Sequence, residues 1–129
     1  MPGTPSNMKL HLRYRLWIAE MNSDINVLRI FSDYLEELAA KKNDPGVKTG
    51  IDYFEKQFID QRKEIDVLRD QMHILKMKLA SDSRESKLLD YRTYQADHHP
   101  DLKKRYLAFR KTFDTVKNKF KDFEGKLLQ

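Results

Sequence analysis

The spacing of apolar residues is the feature that most constrains this fold. In three stretches an apolar residue recurs alternately every third and every fourth position. A mean spacing of about 3.5 residues is typical of helices that pack side by side at a shallow angle, because helices resting on a sheet drift towards about 3.6. The spacing predicts an all-α fold, an elongated antiparallel three-helix bundle with coiled-coil-like heptad packing. The three series run from Leu10 to Leu38, from Val47 to Leu79 and from Leu102 to Leu127.

A short break separates the first two series. The segment 43–46 reads Asn-Asp-Pro-Gly, in which Asp44 can cap a helix and Pro45 can occupy its first position. The break predicts helix one over about 9–42 and helix two over about 45–82. Because so short a connection reverses the chain direction, these two helices are expected to form an antiparallel hairpin.

The remaining segments complete one helical domain over residues 9–129. Residues 1–8 contain two prolines and a glycine and are expected to form a flexible tail. Residues 83–99 are interpreted as a link that contains a turn or two of helix, because a structureless link of this length is uncommon in a bundle. The sequence His-Pro-Asp at 99–101 then predicts helix three over about 100–128.

Residues 10–17 also allow a strand, since apolar and polar side chains alternate there up to Leu16. No second convincing strand is present to pair with it, and an isolated strand is unstable. The helical interpretation is therefore preferred for this segment.

Composition narrows the classes of protein to which the chain can belong. The chain has 129 residues, 35% of them charged, with 4 glycines, 4 prolines and no cysteine. The lack of cysteine excludes disulfide frameworks, thiolate metal sites and thiol nucleophiles. No apolar run is long enough for a signal peptide or a membrane span. We therefore expect a soluble, cytoplasmic protein.

Several segments resemble a group of small, all-helical bacterial proteins that have no assigned activity. The resemblance rests on residues 16–20, 31–38, 57–62 and 106–120, and would cover most of residues 10–125. These segments are packing patterns. The resemblance therefore implies the helical fold and transfers no catalytic residue.

The histidines are the residues best suited to bind a metal. Helical di-iron sites use Glu-x-x-His on two helices, and no histidine here follows a glutamate at that spacing. A two-histidine site from helices one and two, or a ligand cluster at 97–101, is conceivable. Surface or capping histidines are the preferred interpretation, so no metal or cofactor is expected. The histidines are His11, His73, His98 and His99.

Two polar residues, Asp24 and Gln61, interrupt the apolar series of helices one and two. A buried polar layer can fix the register of packed helices at some cost in stability. Asp24 would then need a partner, with Gln61 or Arg62 the nearest candidates. In the alternative, Asp24 rotates outward and Ile25 takes its place. The two alternatives remain equally weighted.

Helices one and two carry more apolar residues than one packed face requires. Large exposed apolar patches usually mark contacts with other molecules. We therefore predict an interface for self-association, most simply a homodimer. The residues assigned to it are Leu16, Ile18, Ile30, Tyr53, Ile59, Val67 and Ile74.

The net charge of +5 is concentrated in helix three, because residues 101–129 contain nine basic and four acidic side chains. A basic rim can bind phosphate backbones or steer acidic partners. The preferred interpretation is that these side chains pair with acids on neighbouring helices. The rim consists of Lys103, Lys104, Arg105, Arg110, Lys111, Lys117, Lys119 and Lys121.

Together these patterns favour a non-enzymatic structural or protein-interaction bundle that associates with itself or with another helical protein. No nucleophile, general base and phosphate-binding loop occur together in the sequence, so an enzyme is not expected. The alternative is a nucleic-acid-associated bundle that binds through helix three.

Overall fold

Three long helices make up the described part of the chain, and no strand occurs in it. The computed structural model describes the backbone of residues 7–85 and 88–127 and the side chains of residues 8–79 and 99–127. The predicted all-α fold is confirmed. The helices are α1 (Asn7–Lys41), α2 (Pro45–Glu85) and α3 (Leu88–Leu127).

The α1–α2 connection has the predicted chemistry. The side chain of Asp44 accepts a hydrogen bond of 3.0 Å from the backbone N–H of Gly46, and its carbonyl accepts one of 2.9 Å from the N–H of Lys48. Pro45 is the first residue of α2, where its missing N–H leaves no hydrogen bond unmade. Residues 42–44 suffice to reverse the chain.

Side-chain pairs fix the directions of the three helices. Rings of Phe31 and Phe58 lie 5.7 Å apart, and those of Phe31 and Phe120 lie 4.4 Å apart. Towards the other end of the bundle, Trp17 stacks on Tyr106 at 4.7 Å. Early residues of α1 therefore meet early residues of α3, so these helices are parallel, and α2 is antiparallel to both.

Large side chains span the contact between α1 and α3. Both helices pack closely against α2, whereas no Cα atom of α1 comes within 8 Å of α3 in the described residues. Trp17, Phe31 and Tyr34 cross this wider gap and are only partly buried. The core runs the length of the bundle. Its fully buried large side chains are Tyr14, Met21, Leu35, Ile65, Leu68, Met72, Tyr106 and Phe113.

The segment 83–99, predicted as a link, is occupied by the ends of two helices. α2 continues to Glu85, and α3 begins at Leu88 rather than near residue 100. Pro100 lies inside α3. His99 explains why the sequence pattern missed this earlier start. It is buried and continues the core-facing line of α3 towards its N-terminus. Because His99 is polar, a pattern that counts only apolar residues did not extend the core-facing line to this position.

Asn7 and Met8, predicted as part of the N-terminal tail, are helical, because α1 begins at Asn7. Residues 1–6 lie outside the described residues. Residues 10–17 are helical, so the preferred interpretation of that segment is confirmed. No helix in the described residues is both long and apolar enough to span a membrane.

Candidate functional site

A polar and aromatic cluster fills the wide contact between α1 and α3. We call it the α1–α3 cluster, and it contains the buried polar side chains Asp24 and His99. Its members come from successive turns of the two parallel helices, so each pair meets at one level of the bundle. The cluster consists of Tyr14, Trp17, Glu20 and Asp24 of α1 and His99, Tyr106 and Arg110 of α3.

Asp24 is buried, with 6% of its surface exposed, which confirms the first of the two alternatives. Its partner is not the expected one: the guanidinium of Arg110 donates to both carboxylate oxygens. Arg62 instead pairs with Asp66 on the surface of α2. Ile25 is half-buried against the core. The expectation considered only the α1–α2 hairpin, whereas α3 supplies the charge that Asp24 needs.

Burial raises the pKa of Asp24 above its usual range, and the hydrogen bond and charge of Arg110 offset only part of this increase. Burial acts to lower the pKa of Arg110, but the hydrogen bond to Asp24 and the neighbouring charges of Asp24, Tyr106 and Glu20 together raise it. Arg110 therefore remains charged. It also lies 3.6 Å from Glu20, so one guanidinium serves two carboxylates.

Tyr106 donates its hydroxyl hydrogen to Glu20. Burial and this hydrogen bond to a carboxylate raise the pKa of Tyr106, so the phenol keeps its proton. The guanidinium carbon of Arg110 lies 5.9 Å from the ring centre of Tyr106 and 5.5 Å from the ring centres of Phe109 and Phe113. These contacts join the buried polar groups of α1 and α3 into one network.

His99 lies at the end of the cluster nearest the start of α1. Its Nδ1 atom is hydrogen-bonded to the hydroxyl of Tyr14 at 2.6 Å, and its ring lies parallel to that of Trp17 at 6.4 Å. Burial lowers the pKa of His99, and the charges of Arg13 and Lys103 lower it further. The imidazole is therefore neutral at pH 7 and acts as a core side chain.

Within the described residues, the histidines do not belong to a group of three or more potential metal ligands. His73 is exposed on α2, His11 is half-buried on α1, and His99 is committed to Tyr14. The side chain of His98 lies outside the described residues. Among the residues whose side chains are described, no group of three or more potential ligands could hold a metal ion.

The predicted interface residues lie in different environments. Ile18 lies beside the core-facing line of α1 and is buried in the core. Its assignment to an interface was therefore wrong. The others have 40–59% of their surface exposed. Ile59 borders a groove of about 480 Å³ between α1 and α2. Tyr53 borders a second groove, of about 280 Å³, between α2 and α3.

Some residues of the predicted basic rim of α3 form ion pairs, and others lie exposed on the surface. Arg110 is withdrawn into the α1–α3 cluster. Arg105 donates two hydrogen bonds of 2.8 Å to Glu64 of α2, as expected of a flanking basic residue. Lys117 lies 5.8 Å from the centre of the Phe113 ring. Besides Arg105, the exposed rim residues are Lys103, Lys104, Lys111, Lys119 and Lys121.

Comparisons with family models, curated proteins and solved structures find no match for this chain. The resemblance to small bacterial helical proteins therefore stays a prediction.

Proposed function

We propose that this chain is a non-enzymatic protein-interaction bundle that associates with a second copy of itself through exposed apolar lines on its helices. The observation that carries the proposal is the regular spacing of exposed apolar residues away from the core. Leu16 and Ile30 lie fourteen residues apart on α1, and Val67 and Ile74 lie seven apart on α2. Seven residues are two helical turns, so each pair lies along one line of its helix.

Such lines favour docking of another helix. A second heptad-spaced line beside the core-facing one can receive knobs from a neighbouring helix, as in coiled coils. The exposed fractions are 59% for Leu16 and 55% for Ile30, so their burial would remove substantial apolar surface from water. A helix docked against these lines would be held by apolar contact and oriented by the charged side chains beside them.

The polar groups of the α1–α3 cluster support a non-enzymatic role. Arg110 donates to Asp24, Tyr106 donates to Glu20, and His99 is hydrogen-bonded to Tyr14. These contacts use up the side chains that would otherwise be candidates for acid–base chemistry. We further propose a cytoplasmic location, which the absence of cysteine favours because reducing compartments do not support disulfide scaffolds.

The experiment that tests self-association is thermal unfolding at several protein concentrations. A dimer that is more stable than its monomer gains stability by mass action, so a hundredfold increase in concentration should raise the Tm by on the order of 5 °C. Leu16→Glu should lower the Tm and remove its dependence on concentration. Met77→Glu, which changes another exposed apolar residue, is the matched control. A Tm independent of concentration in the unmodified chain would contradict the proposal.

A further inference from the structure

We infer that the second copy docks antiparallel along α1, about a two-fold axis that passes beside Ser23. The inference rests on the proposed self-association and specifies its face and its register. It is carried by one line of exposed residues on α1, spaced every seventh position. The line consists of Lys9, Leu16, Ser23, Ile30 and Glu37, and every member is exposed.

This line, which we call the α1 outer line, is complementary to itself when reversed. Leu16 and Ile30 lie seven residues before and after Ser23, so an antiparallel copy places the two apolar side chains together. Lys9 and Glu37 lie fourteen residues before and after Ser23, so opposite charges meet at both ends. A two-fold interface requires this kind of self-complementarity, since the same surface must serve both subunits.

The charges beside the line strengthen the pattern. Arg13 lies next to its basic end and Asp33 next to its acidic end, and both are exposed. Neither forms an ion pair with another residue in the described part of the chain. The first half of α1 therefore presents a basic end and the second half an acidic end. An antiparallel copy neutralises both, whereas a parallel copy would set like charges against each other.

A pocket lies at one end of this surface. A groove of about 350 Å³ opens at the basic end of the line, between Leu12, Leu16 and Trp17. Its other lining residues are Lys9 and Arg13. In the antiparallel register, Ile30 of the second copy lies at this groove and Glu37 of the second copy lies at its basic border. The small side chains of Ala19 and Ser23 at the centre allow the two helices to approach closely.

The corresponding line on α2 lacks these properties. Its members at every seventh position are Gly46, Tyr53, Asp60, Val67 and Ile74, and all are exposed. A copy reversed about the centre of this line would place the Asp60 carboxylates of the two copies against each other, and like charges in contact disfavour the interface. The α2 line therefore does not favour a second copy, although it is as apolar as the α1 line.

A single introduced cysteine tests the register, because the chain has none of its own. Ser23→Cys should form a covalent dimer under mild oxidation, since the two thiols face each other at the axis. Asp60→Cys, at the centre of the α2 line, is the matched control and should remain uncrosslinked. Efficient crosslinking of Asp60→Cys without crosslinking of Ser23→Cys would overturn the inference.

Charge reversal tests the orientation. The variant Lys9→Glu with Arg13→Glu has two acidic ends, and the variant Asp33→Lys with Glu37→Lys has two basic ends. The dissociation constant of each variant's dimer should be at least about tenfold higher than that of the unmodified dimer. An equimolar mixture of the two variants should form a heterodimer. Sedimentation of each variant and of the mixture provides the readout. Two variants that dimerise alone as tightly as the unmodified chain would contradict the antiparallel register.

Two further outcomes separate this inference from the proposed function. If Ile74→Glu dissociates the dimer while Leu16→Glu leaves it intact, the chain self-associates through α2 and only this inference fails. If the unmodified chain is monomeric at every concentration, the proposed self-association fails and the inference fails with it.

Discussion

Asp24 of α1 and Arg110 of α3 form a salt bridge across the contact where the helix backbones lie farthest apart. Only 8% of the Asp24 side chain is exposed, against 21% of the Arg110 side chain. The long arginine side chain bridges a gap that shorter residues could not. Together with the stacked rings of Trp17 and Tyr106, this pair determines how α3 sits on α1.

Replacing Arg110 alone should lower the free energy of unfolding. Arg110→Met leaves Asp24 buried without its partner, so we expect a loss of about 2–3 kcal/mol in the free energy of unfolding. The double variant Asp24→Leu with Arg110→Met should lie within about 1 kcal/mol of the unmodified protein, because an apolar pair can replace a buried ion pair. Urea unfolding measures both. Equal losses in the single and double variants would show that the salt bridge does not explain the burial of Asp24.

Gly50 should not tolerate a side chain. A Cβ atom at this position would lie 2.3 Å from the ring of Phe123, which packs against Phe54 and Phe120. Gly50→Ala should therefore destabilise the protein by about 1 kcal/mol, although alanine favours helix by about that amount. Gly125→Ala is the matched control, since its Cβ would meet nothing within 4 Å, and it should be neutral or stabilising. Stabilisation by both changes would contradict the packing described for Phe123.

Gln61 should be replaceable by an apolar residue. It is 6% exposed, and its Oε1 atom has no hydrogen-bond partner among the described residues. Gln61→Met keeps the length of the side chain and removes the unsatisfied atom, so the free energy of unfolding should increase by about 1 kcal/mol. Chemical denaturation is the measurement. A decrease of similar size would indicate that the amide is satisfied in solution.

His99 should make the stability depend on pH. Because its pKa is lowered on folding from the usual 6.5, the unfolded chain binds a proton more readily in the window below 6.5. Stability should therefore fall as the pH decreases from about 7.5 to about 5.5, by no more than about 1.4 kcal/mol for each unit of pKa shift. His99→Gln should flatten this slope, whereas His73→Gln, which alters an exposed side chain, should preserve it. An unchanged slope in His99→Gln would exclude His99 as its source.

Much of the architecture could be predicted from the sequence because packing has a periodic signature. The apolar series predicted three helices, and Asp44 with Pro45 marked the start of α2. The start of α3 was wrong because periodicity counts apolar residues only. His99 occupies a core position, and Pro100 suggests a helix start although it lies inside α3.

The candidate site was harder to predict than the fold. Asp24 was recognised as an interruption of the core. Its partner depends on how α1 aligns with α3, and these two helices are not consecutive in the chain. Arg110 looked like one member of a basic rim until that alignment brought it to Asp24. With the parallel direction of α1 and α3 known, a search for opposite charges at the same level of the bundle would have found Asp24 and Arg110.

The molar mass in solution, measured by light scattering after size exclusion, tests the central claim most directly. The proposed self-association predicts a mass of twice the 15.4 kDa chain for the unmodified protein. Docking along α1 further predicts a shift towards the single-chain mass for Leu16→Glu. A mass of 15.4 kDa for the unmodified protein across the accessible concentrations would contradict the claim.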